Sequence, residues 1–87
     1  MYGEQKMNDE HKKIVKTIFL KVFDSLKAEE FDFAKKSDQY TNWDSFSHMQ
    51  LISEAEAVFK VTLEMDEISQ IDSAEKLLEI VSKKLPQ

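Results

Sequence analysis

The stretch Trp43-Asp44-Ser45-Phe46-Ser47-His48-Met49-Gln50-Leu51-Ile52, carried on to Phe59, decides how the chain folds. Asp44 has the side chain of a helix N-cap, with an oxygen that accepts from the free backbone N–H groups of the following turn. After it Phe46, Met49, Ile52, Ala55 and Phe59 recur every three or four residues, and Leu51 and Val58 widen the stripe. This spacing predicts an amphipathic helix that begins at Asp44 or Ser45 and ends at Phe59.

Upstream, Ile14, Val15, Ile18, Phe19, Val22, Phe23 and Leu26 form a second such stripe from Lys12 onward, with lysines on the opposite face. Between the two helices, residues 27 to 43 keep no period. Phe31, Phe33, Tyr40 and Trp43 stand there among polar residues. A loop of that length in so small a domain is functional or specially packed, and its aromatics are expected to dip into the core. Downstream, Val61 and Leu63 alternate like a strand within Lys60 to Glu64. Five residues without a partner strand make no sheet, so this is read as a linking segment. Met65 to Ile71 reads as a short helical turn. Ser73 opens a last helix carrying Leu77, Leu78, Val81 and Leu85, and Pro86 sits just past its end. The expectation is an all-α fold, a small four-helix bundle of three longer helices and a short third one, with a long loop between helices 1 and 2. Residues 1–10 read as a flexible tail and 11–87 as the single domain.

Composition narrows the function. The 87 residues suffice for one modest core, and the only glycine and proline, Gly3 and Pro86, lie near the ends, which favours helices over a β-protein. Without cysteine there is no disulfide framework and no thiolate zinc site, and no resident metal is expected. A net charge of −5 disfavours nucleic acid as a partner and suits proteins with basic docking patches. No apolar run is long enough to span a bilayer, so no membrane association is expected. The chain reads as a soluble, cytoplasmic monomer.

Asp44-Ser45-Phe46 resembles the Asp-Ser-Leu element of acyl and peptidyl carrier proteins, with Phe46 in place of leucine. The likeness continues without a gap. Met49, Leu51 and Ile52 fall on the family's apolar positions, Phe59 on the phenylalanine that ends its second helix, and Leu63, Ile68 and Ile71 on its short third helix. Leu78 and Val81 match the last helix, so the resemblance spans roughly residues 12 to 85. The Trp-Asp-Ser-x-x-His-x-x-Leu form looks like stand-alone carriers of bacterial sugar, polysaccharide or specialised-metabolite pathways. The resemblance implies that a phosphopantetheinyl transferase, using coenzyme A and Mg²⁺, esterifies Ser45 with a 4′-phosphopantetheine arm. The arm's thiol then carries an acyl or aminoacyl group as a thioester. A loading enzyme and an acyltransferase or synthase would be further partners, and the chain itself would present substrate without being an enzyme.

Each residue also has a plainer role. Ser45 alone could be a capping serine, and a phosphodiester placed there would gain from the positive end of the helix dipole. Asp44 is both cap and, by the resemblance, a recognition element in arm transfer. His48, three residues after Ser45, shares its helical face and is expected near the arm, facing partners. Asp44, Ser45 and His48 mimic a hydrolase triad, but neighbours on one exposed turn rarely let the histidine reach both others. Trp43 reads as a loop anchor. Phe46, His48, Met49, Gln50, Glu54 and Glu56 are the expected partner-binding residues. The family's second helix is rich in carboxylates, whereas here Ser47, Gln50, Ala57 and Val58 occupy positions where acids are common. That points away from routine fatty acid synthesis. Asn42 stands where the family has a glycine, and asparagine tolerates turns. The alternative is a helical protein–protein adaptor with a carrier-like fold and no arm.

Overall fold

The first helix carries carboxylates at the start of its described span. The computed structural model describes residues 9–85, and α1 runs over Asp9–Val22 with Asp9 and Glu10 in its first turn and Lys21 in its last. Both ends therefore carry the charge that the macrodipole favours. Asp9 and Glu10, expected in the tail, belong to this helix, whereas residues 1–8 of that tail lie outside the described residues. The apolar stripe outlasts the helix. Phe23 N–H still donates to the Phe19 carbonyl at 2.9 Å, after which Leu26 N–H closes a tighter turn on Phe23 O, also at 2.9 Å.

The other helices are α2 (Ser45–Phe59), α3 (Met65–Gln70) and α4 (Ala74–Lys84), so the fold is all-α, with no strand among the described residues. Helix α1 packs against both α2 and α4. Their shared core holds Phe19 and Val15 of α1, Leu51 and Ile52 of α2, and Leu77 and Val81 of α4, each no more than 2% exposed. Burying each such side chain stabilises the fold by about 1.5–3 kcal/mol. Helix α3 buries none of its own residues completely. Leu63 and Ile71 on either side of it enter the core instead. Residues 60–64 form a linking segment, and Pro86, the expected stop after α4, lies outside the described residues.

The long loop is not featureless. It contains two 3₁₀ turns, Ala28–Glu30 and Ser37–Gln39. Two backbone bonds tie it to the start of α4, Ser37 N–H to Asp72 O at 2.8 Å and Glu75 N–H to Phe33 O at 2.9 Å. Its aromatics pack around the α1 phenylalanines, with ring centroids 5.9 Å apart for Phe19 and Phe31, 4.9 Å for Phe23 and Tyr40, and 5.6 Å for Phe19 and Trp43. Such pairs add about 0.5–1.5 kcal/mol each beyond the area they bury.

One member of this cluster is imperfectly accommodated. The Tyr40 hydroxyl is shielded from solvent and has no hydrogen-bond partner among the described residues. Burial first, and the Asp32 carboxylate second, push its pKa above the ordinary 10.0. Tyr40→Phe removes a desolvated, unpaired hydroxyl while keeping the ring, so urea denaturation is expected to show unchanged stability or a gain of up to about 1 kcal/mol. The unfolded phenol ionises first, so the wild type should lose stability as the pH climbs above 10.0, and the variant should lack that contribution.

Candidate functional site

The start of α2 is held by a reciprocal cap. Ser47 N–H donates to Asp44 Oδ1 at 3.0 Å, and Asp44 N–H donates to Ser47 Oγ at 2.9 Å. This is a capping box in which serine at the third helical position does the work usual for glutamate or glutamine. The Ser47 hydroxyl also donates to the Asn42 carbonyl at 2.9 Å, so the turn before the helix is tied to its first turn. Ser47 is 6% exposed. Its lack of charge therefore belongs to the cap, and it is not one of the positions where a docking carboxylate has been diluted away.

A second clamp lies across the same junction. Trp43 precedes the cap and His48 is the fourth helical residue, the two positions that a hydrophobic staple joins. Here the staple is polar as well as stacked. The rings are 5.9 Å apart and tilted by 33°, and Trp43 Nε1–H donates to His48 Nδ1 at 3.0 Å. The other ring nitrogen, Nε2, lies 2.8 Å from the carbonyl oxygen of Ile68 in α3. An indole N–H only donates, so Nδ1 must be the unprotonated nitrogen and Nε2–H the donor to Ile68. His48 is thus half-buried and engaged on both nitrogens inside the chain, a role its expected place on the partner-facing surface did not suggest. Neither nitrogen addresses Ser45 or Asp44, so the three residues do not assemble a hydrogen-bonded triad.

Ser45 itself is the first residue of α2 and is exposed. Its hydroxyl makes no hydrogen bond to any described residue. It stands on the rim of a shallow cleft of about 510 Å³ between the start of α2, the end of α3 and the end of the long loop. Trp43, His48, Met49, Ile71 and Asp72 contribute to the walls. Beside Ser45, Phe46 is 73% and Met49 49% exposed, and Gln50 is exposed too. The two acids of α2 are committed elsewhere. Glu54 pairs with Lys21 of α1 at 3.1 Å, and Glu56 Oε2 accepts from Leu63 N–H at 2.9 Å, holding the segment after α2 against it. Of the expected partner-binding residues, Phe46, Met49 and Gln50 are thus exposed, with Phe46 next to Ser45 in the chain and Met49 lining its cleft. Glu54, Glu56 and His48 are engaged in the fold. Ser47 went unnoticed as a site residue because a capping box is ordinarily sought through glutamate or glutamine.

No protein-family model, no curated protein and no solved structure matches the chain. No helix among the described residues is long and apolar enough to cross a membrane.

Two measurements follow from the cap. Ser47→Ala leaves Asp44 N–H and the Asn42 carbonyl without their partner, and chemical denaturation is expected to show a loss of about 1–2 kcal/mol. The second concerns acid. The Ser47 backbone N–H, then its side chain, hold the Asp44 carboxyl below its ordinary 3.8. The Glu64 N–H, then Lys84, hold Glu67 below 4.5. Both pKa values are depressed on folding, so their contribution is complete above those ordinary values and is lost as pH falls through the folded ones. The urea midpoint of the wild type should therefore drop below about pH 4, and Asp44→Asn with Glu67→Gln should flatten that drop.

Proposed function

We propose that the chain is a carrier that presents an acyl or aminoacyl group to partner enzymes from a phosphopantetheine arm on Ser45. The observation that carries this reading is the state of that hydroxyl. It is exposed and unengaged, one residue past a doubly bonded cap, on the rim of a cleft. A serine that served only the cap would turn its hydroxyl onto the helix N-terminus. Here Asp44 and Ser47 fill that role and leave Ser45 spare.

The surroundings fit a phosphodiester. Ser45 lies at the N-terminal end of a 15-residue helix, where the positive end of the dipole favours negative charge by about 0.3–1 kcal/mol. Asp44, the nearest carboxylate, has its Oδ1 drawn onto the Ser47 N–H. When attached, the arm supplies a thiol for thioester chemistry, which the cysteine-free chain itself lacks. The residues around it hold position: Asp44 and Ser47 fix the helix start, and Trp43, Met49 and Ile71 offer apolar wall to whatever leaves Ser45. A phosphopantetheinyl transferase, a loading enzyme and a synthase or acyltransferase are the partners this function requires. With both α2 carboxylates committed within the fold, a dedicated partner set is favoured over the enzymes of routine fatty acid synthesis.

Incubation of the unmodified protein with coenzyme A, Mg²⁺ and a broad-specificity transferase is expected to add one phosphopantetheine to the intact mass. Ser45→Ala should abolish the gain while keeping its helical circular dichroism. No gain with several transferases would remove the carrier reading and leave a helical adaptor.

A further inference from the structure

His48 is the only described side chain hydrogen-bonded both to the segment entering α2 and to α3. It accepts from Trp43 Nε1–H at 3.0 Å and meets the Ile68 carbonyl at 2.8 Å. Trp43 and His48 line the cleft beside Ser45, as do Ser69 and Ile71 on the C-terminal side of Ile68, so the two bonds join elements that both border it. Helix α3 depends on such ties. It has six residues and buries none of them. Apart from its own turns it is held by the flanking Leu63 and Ile71, by partly buried Ile68 and by the Lys84–Glu67 pair at 2.9 Å. The Ile68 carbonyl already takes a long 3.3 Å bond from Ile71 N–H at the helix end, so Nε2–H supplies the closer donor to a group that helix ends leave short of partners.

We propose that His48 is a positioning residue for Ser45: by clasping Trp43 to the end of α3 it holds the first turn of α2 and the adjoining cleft in the one arrangement that a modifying enzyme can engage. The inference rests on the reading of Ser45 as the attachment site. The clasp acts on the population of the competent arrangement. Releasing it lets α3 and the turn at Trp43 sample others, and the apparent affinity of an enzyme for the chain falls by the competent fraction while turnover of the bound chain is kept. The effect therefore belongs in KM, not in kcat.

Two substitutions separate the clasp from simple packing. His48→Phe keeps an aromatic ring against Trp43 and removes both hydrogen bonds. His48→Gln replaces the ring by a carboxamide, whose oxygen accepts and whose nitrogen donates, as the two ring nitrogens do here. Trp43 is the single tryptophan, so its indole N–H resonance reports the first bond directly. Amide exchange over residues 65–70 reports the second. In His48→Phe, with helical content unchanged, the indole resonance is expected to shift and exchange faster. The α3 amides should exchange about tenfold faster, and the KM of the transferase for the chain should rise about five- to tenfold at constant kcat. His48→Gln should restore all three toward wild type. A wild-type KM in His48→Phe, or a Gln variant as impaired as Phe, would overturn the positioning role while leaving Ser45 as the attachment site. Failure of the wild type itself to gain mass overturns both readings, and the exchange data then describe a clasp of purely structural consequence.

Discussion

The site depends on a stack of rings more than on any bond at the site itself. Phe19 and Phe23, on the last turn of α1 and just beyond it, are almost fully buried. Tyr40 and Trp43 come back from the far end of the loop to pack on them, with Phe23 and Trp43 5.5 Å apart. Without that contact the 22 residues between α1 and α2 would have, besides their own local turns, two backbone bonds to the start of α4, to Asp72 and from Glu75, to define their path. Trp43 is the hinge of the arrangement. Its ring belongs to the core cluster, its indole nitrogen to His48, and its backbone leads directly into Asp44. The position of Ser45 is therefore inherited from two phenylalanines on another helix.

A second constraint runs through every turn. With glycine and proline only at positions 3 and 86, the described chain must reverse direction by other means. It does so with side chains that reach back three residues to a backbone N–H: Glu30 to Lys27, Gln39 to Lys36, Ser47 to Asp44 and Glu67 to Glu64. Each satisfies a donor that the start of a helical turn leaves open. Where α2 ends no such device is available. Lys60 there takes the left-handed conformation, φ 57° and ψ 47°, which costs a residue with a Cβ roughly 1–2 kcal/mol. Burial of Leu63 and its bond to Glu56 three residues later offset that cost. Glu56 is thus more than a surface charge: it secures the chain just after its least comfortable residue.

These two constraints mark what the sequence discloses and what it conceals. Helical stripes report where a helix lies and most of what it buries, and so the four helices, their order, the Asp44 cap and the anchoring loop aromatics could all be read directly, although Phe46, Met49 and Val58 of the α2 stripe are exposed. Stripes do not report hydrogen bonds. That is why Leu26 looked helical when α1 had already ended at Val22. It is also why the two 3₁₀ turns were missed although their Glu30 and Gln39 were in view. The Ser47 and His48 contacts were hidden for a different reason. Both depend on which polar atoms lie opposite, in Asn42 and in Ile68, and a one-dimensional pattern holds no record of an acceptor twenty residues away.

The same distinction changes the meaning of the charges on α2. Counted along the sequence and set beside the carrier resemblance, Glu54 and Glu56 would be all that stands for an acidic docking face. In the fold they are ties, one to α1 and one to the segment before α3, and Ser47 is a buried part of the cap. On α2 the exposed side chains that follow Ser45 are Phe46, Met49 and Gln50, apolar or neutral, while the nearby charges are the carboxylates of Asp44 and Asp72. Long-range attraction between opposite charges accelerates encounter and fades with salt. Contact with exposed apolar side chains acts only at short range and survives salt. On the proposed function, an enzyme working at Ser45 would close over the neighbouring Phe46, whose ring is 73% exposed. By the same reading, recognition at this site would draw on the fit around one ring and one helix turn, and on the proposed clasp that fit would depend on Trp43 and His48.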